Sequence, residues 1–186
     1  MVVPNLKQNQ LNKDRGNLKG KPNLKLLIRK YLSTDTIITK EIKDPRYEFG
    51  FHIIFPNVMN EKGEQKGKPL VVLKPKKKNF VEIVFTAGLG ENYRELIRYL
   101  SEDEKASLEY ELSKFAISQN LFQNINLEEY SIVVKEKVYL HESSPLSVNK
   151  FYRALKKVLN VQLLLGNFLE MRFMNISSDN DSITGY

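Results

Sequence analysis

Apolar residues recur along the chain with two periods, and the alternation between them predicts the order of the elements. Leu24, Leu27, Ile28, Tyr31 and Leu32 fall at helical spacing behind Asn23, a residue suited to capping a helix N-terminus. Thr36–Ile42 is rich in β-branched residues, and Asp44-Pro45 closes it. From Tyr47 to Phe55 the period is two: Phe49, Phe51, Ile53 and Phe55 point one way, Gly50, His52 and Ile54 the other. A polar, glycine-containing loop over 57–68 leads to two further strands, Leu70–Lys74 and Phe80–Thr86. Pro75-Lys-Lys-Lys-Asn79 joins them as a hairpin.

After Ala87-Gly88-Leu89-Gly90 the helical period returns. Tyr93, Leu96, Ile97 and Leu100 mark a short helix. Ser101-Glu-Asp-Glu104 has the spacing of a capping box, and the helix it opens carries a stripe of Leu108, Leu112, Phe115, Ala116 and Phe122. Tyr130–Leu140 is β-like, read as one long strand or as two with a bend near Lys135–Lys137. Pro145 and Ser147 open a last long helix with Val148, Phe151, Tyr152, Leu155, Val158, Leu159 and Leu163 on its apolar face, running on through LLLGNFLEMRF. The order is α-β(3-4)-α-α-β(1-2)-α. Strands segregated from helices predict an α+β fold, an antiparallel β-sheet with helices packed mainly on one face.

The pattern then sets the boundaries. Residues 1–22 lack periodic apolar positions and are read as a disordered basic arm. Residues 23–174 form one α+β domain, and 175–186 a polar, frayed tail. The net charge of +7 is concentrated in the arm: Lys7, Lys13, Arg15, Lys19 and Lys21 against Asp14 give +4, which leaves +3 for the rest. There is no cysteine, so disulfides and thiolate metal sites are excluded. No apolar run reaches the roughly 18 residues of a membrane span, and the N-terminus lacks a signal-peptide core. A cytoplasmic location is the expectation.

Several of these segments resemble a known family. Val138–Val158 is similar to the closing segment of an archaeal family of uncharacterised small domains. Phe49–Pro56, the stretch PLVVLKPKKKNFVEIVF and the helix pair after Gly90 are similar to that family's middle. The resemblance covers roughly residues 23–170, and it implies a type III secretion chaperone-like fold without implying an activity.

Candidate chemistry is sparse. His52 lies mid-strand with no acidic neighbour in sequence, and is read as structural or half-exposed. His141 and Glu142 offer a conceivable acid–base pair at a strand end, where a solvated turn is the better reading. Glu102, Asp103 and Glu104 are explained by the favourable position of negative charge in a helix's first turn. Gly88-Leu89-Gly90 between strand and helix lacks the third glycine and the Gly-Lys-Ser/Thr of phosphate loops, and Glu91 follows it. No enzyme, metal or cofactor is expected.

Two binding readings remain. If Phe49, Phe51, Ile53, Phe55, Val81, Ile83 and Phe85 face the helices, the opposite face carries Ile54, Phe80, Val84, Val133 and Tyr139, too apolar for a solvated face. This predicts a protein-interaction module, chaperone-like, that binds a polypeptide partner or forms a homodimer through its sheet, unless an internal helix covers that face. The alternative is nucleic-acid binding through the basic arm and the turn of Lys74, Lys76, Lys77 and Lys78, near Lys66 and Lys68.

Overall fold

The computed structural model describes residues 23–141 and 145–181, with 174–181 as helical backbone. The expected arm over 1–22, and Glu142, lie outside the described residues.

Helix α1 spans Leu24–Asp35, and the Asn23 side chain caps it by accepting from the Lys25 and Leu26 amides at 3.0 and 3.4 Å. Its stripe buries Ile28 and Leu32 completely. Strands β1 (Ile37–Glu41), β2 (Tyr47–Phe55), β3 (Lys68–Pro75) and β4 (Phe80–Gly88) follow as consecutive antiparallel neighbours. The β3–β4 turn is tight, with Lys77 in the left-handed region at φ 59°. Gly67 is required where the loop re-enters β3: a Cβ there would stand 2.2 Å from the Pro56 carbonyl oxygen.

Helices α2 (Glu91–Arg98) and α3 (Glu102–Ser118) come next. The capping box forms as the sequence predicts. Ser101 Oγ accepts from the Glu104 amide, and the Glu104 carboxylate accepts from the Ser101 amide at 2.8 Å. Strands β5 (Phe122–Asn126) and β6 (Ser131–Tyr139) make a hairpin, and α4 (Val148–Asp181) closes the chain. The sheet is six-stranded and antiparallel, in the order β1-β2-β3-β4-β6-β5.

Three expectations need correction. Phe122 belongs to β5, not to the α3 stripe. Asn120, at φ 51°, stops the helix: its amide donates to Ile117 O and the Leu121 amide to Ala116 O, both at 2.9 Å, which is a Schellman ending. Leu121 is then buried where the next helical turn would have gone. The last helix also turns a different stripe inward. Phe151, Leu155 and Val158 are buried as expected, but burial continues through Val161, Leu165, Leu169 and Phe173, while Val148 and Leu163 are exposed. Steps of three and four residues from Phe151 to Phe173 follow the helical period and keep one line of the long helix inward, where a continuous apolar run alone does not tell which line that is. Finally, α4 stays helical to Asp181, past the boundary expected at 174.

One core lies between sheet and helices. Phe49, Phe51, Ile53 and Phe55 of β2, Leu70 and Val72 of β3, Val81, Ile83 and Phe85 of β4, and Ile132, Val134 and Val138 of β6 meet Ile28, Leu32, Ile97, Leu108, Leu112 and Phe151 from all four helices. The helices therefore occupy one face, as the alternation in β2 and β4 predicts.

Candidate functional site: the open face of the sheet

Strand pairing fixes what the other face carries. Phe80 stands opposite Tyr139, Val84 opposite Lys135, Thr86 opposite Val133 and Ile54 opposite Pro69. With a side-chain period of two, Ile54, Phe80, Val84, Val133 and Tyr139 all share this second face, as the alternation implies. Among the described residues no helix covers it. His52, Pro69, Thr86, Lys137 and Tyr139 along it are exposed. Its β1–β2 end is closed locally: Ile42 folds over Gly50 and Leu73, close enough that a Cβ on Gly50 would meet Ile42 Cβ at 3.0 Å.

One row of the register crosses the whole sheet. Lys40 of β1 pairs with His52 of β2, His52 with Val71 of β3, Val71 with Val84 of β4, Val84 with Lys135 of β6, and Lys135 with Phe122 of β5. Its middle is apolar. A shallow depression of about 510 Å³ lies there, lined by Ile54, Pro69, Val71, Val84, Thr86, Lys40 and His52 among others.

Lysines stand at both ends of that apolar floor. Lys135 Nζ is 4.5 Å from the centre of the Phe122 ring and 4.0 Å from Glu82 Oε1. Lys137 Nζ is 4.9 Å from the centre of the Phe80 ring, which packs edge-on against Tyr139 at 5.7 Å between centroids. Tyr139 and Phe122 remain 52% and 56% exposed. An ammonium over an aromatic face is attracted by the ring's quadrupole and shields part of that ring. Charge and apolar surface are thus interleaved on β4, β6 and β5.

The other candidates disperse. Lys74 is not a surface residue. Its side chain is 6% exposed, and its ammonium donates to Lys78 O at 2.6 Å, Glu48 Oε1 at 2.9 Å and Pro75 O at 3.2 Å. It holds the hairpin turn together from beneath, so it leaves the nucleic-acid set. Lys76, Lys77 and Lys78 are exposed on that turn. Two carboxylates of the Glu102–Glu104 cluster are spent on helix α3, Glu104 on the capping box and Glu102 on Lys105 at 2.7 Å, and Asp103 lies in the same first turn. At Gly88–Gly90, Arg94 Nε donates to Leu89 O at 2.7 Å. Glu91 sits within 3.8 Å of Arg94 and 3.5 Å of Arg98, so the N-terminus of α2 already faces a carboxylate. His141 is exposed and His52 lies on the open face between Lys40 and Val71. Among the described residues no three His, Cys, Asp or Glu side chains converge as a metal site would require. No described helix is long and apolar enough to cross a membrane.

The sequence reading missed Lys40, Val71, Glu82, Lys135, Lys137 and Phe122 as members of the face. Counting by two from Phe80 reaches Glu82, and from Val133 reaches Lys135 and Lys137. Phe122 was hidden by its false place in a helix, and Lys40 and Val71 needed the register.

Comparison with known proteins agrees with this architecture. A crystal structure of an uncharacterized protein from Methanothermobacter thermautotrophicus superposes with a TM-score of 0.66 over 81% of this chain and 99% of that one, at 15% identity. That likeness is one of fold. No curated protein matches the chain. The model of the uncharacterized conserved protein family DUF2299 matches residues 24–169, most of the chain and nearly all of its described elements, and the protein belongs to that family.

Proposed function

We propose that this protein is a non-catalytic, cytoplasmic polypeptide-binding module, chaperone-like in action, that takes its partner on the open face of the sheet. The observation that carries the reading is the uncovered aliphatic floor of Ile54, Val71 and Val84. Half-buried aliphatic side chains gathered on one sheet face favour a partner that removes them from water, by about 25 cal/mol per Å² of apolar surface covered. The order of helix, four strands, two helices, two strands and helix is in keeping with the type III secretion chaperone-like fold that the sequence resembles, and the chaperone-like reading rests on that resemblance.

Nucleic-acid binding is the second reading, favoured by Lys76–Lys78, which stand one residue, Asn79, before Phe80 at one end of the same face. It fits the surface less well. Bases stack on free aromatic rings, whereas here the floor is aliphatic and the Phe80 and Phe122 rings each carry a lysine ammonium.

The test is selection of peptides from a random display library on the purified chain. Binding of the selected peptides is then titrated to the wild type, to Val84→Asp and to an exposed control, Tyr99→Asp, on α2's C-terminal side. Val84→Asp is expected to abolish binding and Tyr99→Asp to leave it unchanged. A library that yields no binder blocked by Val84→Asp, with a strictly monomeric mass by light scattering, refutes the reading.

A further inference from the structure

The open face carries a charge pattern that distinguishes among polypeptides. Resting on the polypeptide-binding reading above, we propose that its occupant is an acidic segment, apolar in the middle and flanked on both sides by carboxylates.

The transverse row carries the pattern. Its apolar centre, Val71 and Val84, has Lys40 with His52 on one side and Lys135 on the other. Lys40 and Lys135 stand four strand spacings apart, about 19 Å at about 4.8 Å per strand. Lys137 continues the basic side along β6 and lies directly opposite Glu82. Among the described residues of β4 and β6, Glu82 faces the lysines on this side, and Lys135 is within 4.0 Å of its Oε1. Three lysines against one glutamate leave the face positive at both ends of an apolar floor. A bound segment with the complementary order, carboxylate, apolar side chains, carboxylate, matches the lysines and the aliphatic centre of that row.

The same pattern argues against the two occupants nearest at hand. A second copy of this chain, docked face to face about a twofold axis through the floor, sets lysines against lysines, and Glu82 already has Lys135 within 4.0 Å of its Oε1. The chain's own residues 1–22 carry a net +4 and meet the same repulsion.

The experiment titrates the full chain by fluorescence anisotropy with two labelled peptides of about 12 residues, roughly twice the span of the row at about 3.3 Å per residue. Both carry the same Val and Leu positions. One has Glu at the flanking positions and the other Lys, and an oligothymidylate of similar length is the third probe. The Glu peptide is expected to bind, more weakly as salt rises. The double substitution Lys135→Glu with Lys137→Glu is expected to weaken it by about tenfold or more and to confer binding of the Lys peptide. Lys40→Glu, at the far end of the row, provides an independent variant should the double one fail to fold. Equal binding of the Glu and Lys peptides, both abolished by Val84→Asp, overturns the acidic assignment and leaves the polypeptide reading standing. Failure of both peptides with a solution dimer broken by Val84→Asp overturns it in favour of self-association. Binding of the oligothymidylate alone overturns both readings.

Discussion

Replacing Lys74 by methionine separates a lysine that holds the fold from the lysines that merely decorate it. Methionine keeps the length of the buried stem and removes the ammonium, whose acceptors are Lys78 O, Glu48 Oε1 and Pro75 O. The three losses are unequal. Glu48 is 47% exposed and returns to water, and Pro75 O keeps the Lys78 amide at 3.4 Å. Lys78 O loses its closest donor, a bond to a charged group worth about 1.5–3 kcal/mol. Relief of the ammonium's own burial acts in the opposite direction. The net expectation is a loss of about 1–2 kcal/mol, which for a domain of this size lowers Tm by about 2–8 °C. Lys76→Met, two residues away and exposed, is expected to change stability by no more than about 0.5 kcal/mol. Thermal melts followed by circular dichroism read both. Equal Tm values for Lys74→Met and Lys76→Met would refute the assignment of Lys74 to the turn.

Other perturbations test other parts of the fold. Phe151 is fully buried and in ring contact with Tyr31 and Tyr152, so Phe151→Ala is expected to cost about 3–5 kcal/mol in urea unfolding; a loss under about 1 kcal/mol would contradict its place at the centre of the core. Ser101→Ala removes the α3 cap and is expected to cost about 0.5–2 kcal/mol, with Ser101→Asp restoring most of it. Asp44 accepts hydrogen bonds from the Arg46 guanidinium and amide, which lower its pKa from 3.8 to about 2. A carboxylate with a lower pKa in the fold stabilises it above the unfolded value and loses that contribution as the pH falls toward the folded one. Acid-induced loss of Tm between 3.8 and about 2 is therefore expected to be shallower in Asp44→Asn, and an unchanged slope would show the Asp44–Arg46 pair to be without effect.

Local chemistry was legible wherever a residue type admits one conformation or one partner. Asn23 and the Ser101–Glu104 box mark helix starts because short polar side chains satisfy the free amides there. The alternation through β2 and β4 assigns each strand residue to a face, because the strand period leaves only two directions. From that alone the chain determines an α+β order, helices on one side, and the shared second face of Ile54, Phe80, Val84, Val133 and Tyr139. What it left open depends on neighbours distant in sequence. The end of α3 turned on Asn120 taking a left-handed conformation, which helical spacing through Phe122 does not reveal. The burial of Lys74 turned on the Lys78 carbonyl and Glu48 closing around it, although in sequence it belongs to a basic run. The transverse row from Lys40 to Phe122 needed six strands in one register, and register is a property of pairing energies summed along whole strands. Only the tertiary structure could place positive charge at both ends of an apolar floor.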